Sequence, residues 1–156
     1  MAFEDIPVRE NGQPITYLWF NDLREAGLGS PGWKKYSVPY TDLQTAALTK
    51  QVTLVTRAAK DTIEGIIIKT ATAFVGTSIS SLLFDVGITG DLQRWVADYS
   101  GLAAVSDSNH ETSSMIEVPS FSTTAAIILK ATAVGANLSA LSAGELEIWI
   151  KSGKLE

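Results

Sequence analysis

The sequence predicts a mainly β protein, an antiparallel β-sandwich or jelly roll, preceded by a short helical arm and interrupted by one short crossover helix. Three observations carry this. Apolar side chains alternate with period two in several short segments. Glycine and proline breakers separate those segments, at Gly76, Gly87 to Gly90, Gly101, Gly135 and Gly144. Charged residues make up only 19% of the 156 residues, while alanine, serine and threonine are abundant, a balance that many short strands with small-residue turns would produce. Seven or eight strands at this spacing favour a sandwich over a βαβ fold.

The elements follow in order. Ile15, Leu18, Trp19, Leu23 and Ala26 recur at helical spacing, with Tyr17, Phe20 and Asn21 elsewhere around the turn. Asn11-Gly12 and Pro14 precede this segment and Gly27 to Gly32 follow it, so residues 1–33 are expected to be a docking arm with a glycine-rich hinge, and residues 34–156 the sandwich domain. Lys35 to Val38, stopped by Pro39, is a strand candidate, because proline cannot donate to a ladder and favours strand ends. Val52 to Leu54, then Ile63 and Ile66 to Ile68, are further strand sequence. Leu82, Phe84, Val86 and Ile88 alternate with Leu83, Asp85, Gly87 and Thr89, which is the pattern of a half-buried strand.

After Gly90 the pattern changes. Leu92, Trp95, Val96 and Tyr99 recur at helical spacing, Asp91 is a possible cap and Gly101 a stop, so a core-covering crossover helix is expected here. Met115 to Val118, stopped by Pro119, is a weaker strand candidate. Ile127, Leu129 and Ala131 alternate with Ile128, Lys130 and Thr132, and Leu146, Ile148 and Ile150 with Glu145, Glu147, Trp149 and Lys151. Both read as antiparallel strands with one wetter face.

Composition narrows the function. A chain of this length can bury a core of its own without disulfides or metals, and it has no cysteine, so thiol redox chemistry and thiolate metal sites are excluded. The formal net charge of −5 and a single adjacent basic pair, Lys34-Lys35, argue against a nucleic-acid partner. The acidic start, Met1 to Asp5, lacks the features of a signal peptide. The apolar runs end at Lys69 and Lys130, well short of the roughly 20 residues a membrane helix needs, so no membrane partner is expected. Asn137-Leu138-Ser139 matches a glycosylation acceptor, which without export reads as chance.

The motifs for chemistry fail on context. Gly27-Leu28-Gly29-Ser30-Pro31-Gly32 fits the dinucleotide fingerprint, but a helix-like segment precedes it and Pro31 removes one of the N–H groups a phosphate would need. His110, the single histidine, lies in a polar run, Asp107 to Glu111, without the spacing of a calcium loop. No serine stands in a nucleophile elbow. The reading is therefore no catalytic residue, no cofactor, no metal site and no enzyme.

The apolar stripe of the arm must be buried somewhere, either against its own domain or against a neighbouring subunit or larger assembly. Ile15, Leu18, Trp19, Phe20 and Leu23 are the expected partner-binding residues, since aromatic side chains are favoured interface anchors.

The run from Ile6 to Arg24, with Asn11-Gly12 followed by Trp19-Phe20-Asn21-x-x-Arg24, resembles a segment at the start of some tailed-bacteriophage virion proteins. Val38-Pro39-Tyr40-Thr41-Asp42-Leu43, Val52-Thr53-Leu54, Lys69 to Phe74 and Asp85 to Leu92 are similar to a phage structural domain. The resemblance covers most of the chain. It implies a virion accessory protein, a homotrimeric β-sandwich that is made in the host cytoplasm and sits on a capsid, fibre or neck.

The expected function is a capsid decoration (cement) or head-fibre protein bound to the major capsid protein or another virion protein, with three arms on a trimer adding avidity. The alternatives are a tail-fibre, tail-tip or collar component and, in another class, a glycan-binding module. The latter would stack host glycans on Trp95, Tyr99 or Trp149.

Overall fold

The computed structural model describes residues 33–103, 105, 111–113 and 122–154. Among these are eight strands: β1 (Trp33–Pro39), β2 (Thr49–Arg57), β3 (Asp61–Gly76), β4 (Ser81–Ile88), β5 (Asp91–Ser100), β6 (Glu111–Ser113), β7 (Ala125–Val134) and β8 (Leu141–Lys154). A four-residue helix, α1 (Tyr40–Leu43), follows β1, and a 3-10 turn spans Leu138–Ala140. Residues 1–32, including the expected arm, lie outside the described residues, as do Met115 to Val118.

The strands form two four-stranded sheets, β1-β8-β3-β6 and β2-β7-β4-β5, with every pairing antiparallel. First pairs with last, second with seventh, third with sixth and fourth with fifth. This is the order a long hairpin takes when it is rolled into two layers, and it makes the sandwich a jelly roll. The predicted fold class holds, and alternation is its cause. Leu146, Ile148 and Ile150 of β8, Ile127, Leu129 and Ala131 of β7, and Leu82, Phe84 and Val86 of β4 are all fully buried. Each large side chain so buried stabilises by about 1.5–3 kcal/mol.

The two layers meet through a few identifiable contacts. Phe74 of β3 packs on Phe84 of β4, their centroids 5.2 Å apart and their planes tilted by 52°. Tyr99 of β5 sends its hydroxyl across the core, where it accepts the backbone N–H of Thr70 at 3.1 Å and lies 3.3 Å from the Thr70 hydroxyl. Thr70 is itself fully buried and borders a bulge in the β3–β8 ladder, so the tyrosine gives a polar group a partner where no water reaches.

The expected crossover helix after Gly90 is instead strand β5. Its helical spacing has a different cause. Two steps along β4, Phe84 to Val86, are matched by three along β5, Tyr99 to Val96; the next two, Val86 to Ile88, are matched by five, Val96 to Asp91. These bulges turn Trp95, Val96 and Tyr99 inward together, which imitates a 3.6-residue period in the sequence. Asp98 takes the left-handed conformation in the first bulge, with φ 54°.

Candidate functional site

Two features of the described body could carry function: a buried polar cluster and an apolar end. The cluster centres on Asp85, which points away from the core on β4 yet is only 2% exposed. Its Oδ1 accepts the backbone N–H of Asp98 at 2.9 Å and the Gln93 side-chain amide at 3.1 Å, while Lys130 Nζ lies 3.5 Å from Oδ2. Lys130 is the direct cross-strand neighbour of Asp85 on β7. The carboxylate therefore satisfies the N–H that the β5 bulge takes off the ladder. Its geometry is that of a latch for the bulge. The described residues contain no group of three or more histidine, cysteine, aspartate or glutamate side chains that could hold a metal ion.

The second feature follows from topology. The connections β1–β2, β3–β4, β5–β6 and β7–β8 all leave the sandwich at the same end. Leu48, Val75, Leu102, Val105 and Val134, the large hydrophobic side chains that are exposed among the described residues, all belong to this end. The described residues 43–49, 70–84, 100–103, 105 and 131–144, which build it, contain no Asp, Glu, Lys, Arg or His. Asp42 on α1, Lys50 at the start of β2 and Glu145 of β8, the cross-strand neighbour of Pro39 and Thr72, border it. Lys50 turns its ammonium to the Gln44 carbonyl at 3.0 Å.

The opposite end differs. Arg57, Lys60 and Asp61 flank its β2–β3 turn, Asp91 and Arg94 pair at 3.8 Å, and Glu64 and Lys151 pair at 3.0 Å.

The backbone at the apolar end is hydrogen-bonded within the domain. Ser80 N–H donates to the Val134 carbonyl and Gly101 N–H to Leu82, both at 2.8 Å. Ala133 N–H donates to Leu48 and Ser139 N–H to Thr45, again at 2.8 Å. The Gln44 side-chain amide donates to Leu141 at 2.8 Å. What this end presents is apolar area and small side chains.

Ile15, Leu18, Trp19, Phe20 and Leu23, the expected partner-binding residues, lie outside the described residues, as do Gly27 to Gly32 and His110. The rings expected to stack glycans are placed differently from one another. Trp95 and Tyr99 are core residues, 6% and 4% exposed, and have no face to offer a sugar. Trp149 is half-buried on β8 with the Lys35 ammonium 5.6 Å from its ring centre. The apolar end was not among the sequence expectations. Its signal was four separate stretches without charge, which become one surface only once the strand order is known.

Fold and surface together define a class: an eight-stranded jelly-roll domain with one charged end and one apolar end. The sequence matches no family model and no curated protein. In fold the chain is similar to a chain of the cyanophage Pam1 capsid asymmetric unit, with 14% identity, a TM-score of 0.55, and 80% of this chain aligned to 84% of that one. A weaker likeness, with 15% identity and a TM-score of 0.41, covers 80% of this chain and 98% of a chain in the acid-stable capsid of Helicobacter pylori bacteriophage KHP30.

Proposed function

We propose that this chain is a structural virion protein of a tailed bacteriophage, a capsid decoration (cement) or head-fibre protein that docks on the particle through its N-terminal arm, residues 1–33. The observation that carries the reading is the jelly roll it shares, over most of its length, with a chain of the Pam1 capsid asymmetric unit. Jelly rolls also serve lectins and other proteins, so fold alone does not choose among them. Two further observations favour the virion. The phage-like Trp19-Phe20-Asn21-x-x-Arg24 segment supplies an aromatic anchor, and burial of Trp95 and Tyr99 removes two of the three stacking platforms a glycan reading needs. The body supplies bulk and stability, and the arm supplies contact with the major capsid protein or another virion protein.

The test is co-sedimentation of the full-length protein with phage particles that lack it, together with its copy number in intact particles. High copy number and loss of binding on Trp19→Ala with Leu23→Ala are expected, because truncating buried anchors at an interface costs about 2 kcal/mol or more each. Unchanged binding by the double variant would remove the arm from the reading. Low copy number would move the protein to the tail or collar.

A further inference from the structure

We propose that the outer face of the β1-β8-β3-β6 sheet is a second contact with the virion protein that the arm binds, and that it fits a neutral protein surface with apolar area at its centre. The inference rests on the proposed function and adds to it a surface on the body. Because Leu146, Ile148 and Ile150 fill the core, Glu147, Trp149 and Lys151 face outward. Register sets their neighbours in rows. Trp33 of β1 and Gly65 of β3 flank Lys151, and Lys35 and Ile67 flank Trp149. The Trp33 ring reaches across β8, since a Cβ added at Gly65 would stand 3.0 Å from its Cη2 atom. Glycine at this position gives the indole its seat. Trp33, Trp149 and Ile67, all half-buried, form the centre of the face.

Two outward rows of the other sheet, Gln51-Lys130-Asp85 and Thr49-Thr132-Leu83, carry no aromatic ring. Charge then selects the partner. Lys35 pairs with Glu147, and Lys151 with Glu64 at 3.0 Å, so the ammonium groups beside the indoles are already matched by carboxylates. A phosphate-bearing partner, whether nucleic acid or lipid, would have to break those pairs. A neutral protein surface leaves them in place as a polar rim around an aromatic centre, which is the arrangement of an interface hot spot. Position agrees with chemistry. The chain enters the body at Trp33, so the arm departs from this face. Trp19 lies 14 residues before Trp33, a reach of at most about 50 Å. A partner gripped at Trp19 is therefore held near the two indoles, where even a weak second contact adds to the first.

The experiment is co-sedimentation of the full-length protein with phage particles that lack it, titrated to give a dissociation constant. Trp149→Gln and Ile67→Gln, both at outward positions, are each expected to weaken binding roughly tenfold or more, with urea midpoints showing that the fold is kept. Gln51→Ala, on the outer face of the other sheet, is the control and should keep wild-type affinity. Wild-type affinity in both Trp149→Gln and Ile67→Gln overturns the proposal, and the arm reading then stands or falls on Trp19→Ala with Leu23→Ala. Weakened binding in the face variants, with the arm variant unaffected, upholds the face and refutes the arm, so the two readings fail separately. Particles that take up no wild-type protein overturn both. Two further results overturn the proposal by reassigning the face while particle binding is unchanged. One is a lower mass of Trp149→Gln by light scattering, which gives the face to a sister copy; the other is retention of wild type, but not Trp149→Gln, on a host glycan array, which gives it to a sugar.

Discussion

Tyr99 and Tyr36 undergo the same chemical change on substitution by phenylalanine, and the structure predicts opposite consequences. The Tyr99 hydroxyl bridges the sheets, holding the Thr70 N–H at 3.1 Å and the hydroxyl of the fully buried Thr70 at 3.3 Å. Tyr99→Phe keeps the ring and its packing, so no large cavity forms. The loss is a buried N–H left without this acceptor, worth about 1–3 kcal/mol.

The Tyr36 hydroxyl, by contrast, is buried with no hydrogen-bond partner among the described residues. Removing it relieves a desolvation cost, and the Lys34 ammonium, 5.3 Å from the ring, keeps its aromatic contact. Tyr36→Phe should be neutral or stabilising by up to about 1 kcal/mol. Urea unfolding at one fixed protein concentration checks both, because the midpoint moves with stability while the slope stays constant. With a slope of about 1–3 kcal/mol per molar, the two midpoints should separate by about 1 M. Coincident midpoints, or a larger loss for Tyr36→Phe, would refute the assignment of Tyr99 as the polar tie between sheets.

Asp85→Ala should lower stability by about 2–4 kcal/mol in the same assay and speed amide exchange at Asp98, since the bulge loses its acceptor and Lys130 its partner. Asp85→Asn keeps an acceptor for the Asp98 N–H and should cost clearly less. Gly101→Ala should lower stability by about 1–3 kcal/mol, read as a shift in the thermal midpoint, because an added methyl would run into the Phe84 ring and Leu82.

The strands that alternate cleanly were legible in the sequence because each is straight where it was read. In β4, β7 and β8 the inward set is every second residue, and the sequence shows it. Pro39 likewise ends β1 as its chemistry requires. Strand β5 was misread for a physical reason: bulges break the two-residue period, and five residues of β5 opposite two of β4 place Trp95, Val96 and Tyr99 on one side as a helix would. Gly87 of β4 lies against the backbone of Asp91 and Leu92, where any Cβ would collide, so the start of β5 folds closely over β4 there.

The apolar end was illegible for a different reason. Hydropathy read along the sequence treats Leu48, Val75, Leu102 and Val134 as stray surface residues in four unrelated loops, and single exposed apolar residues call for no explanation. The jelly-roll order gathers those loops at one end and sends the charged turns at Ala58 to Asp61 and Thr89 to Arg94 to the other.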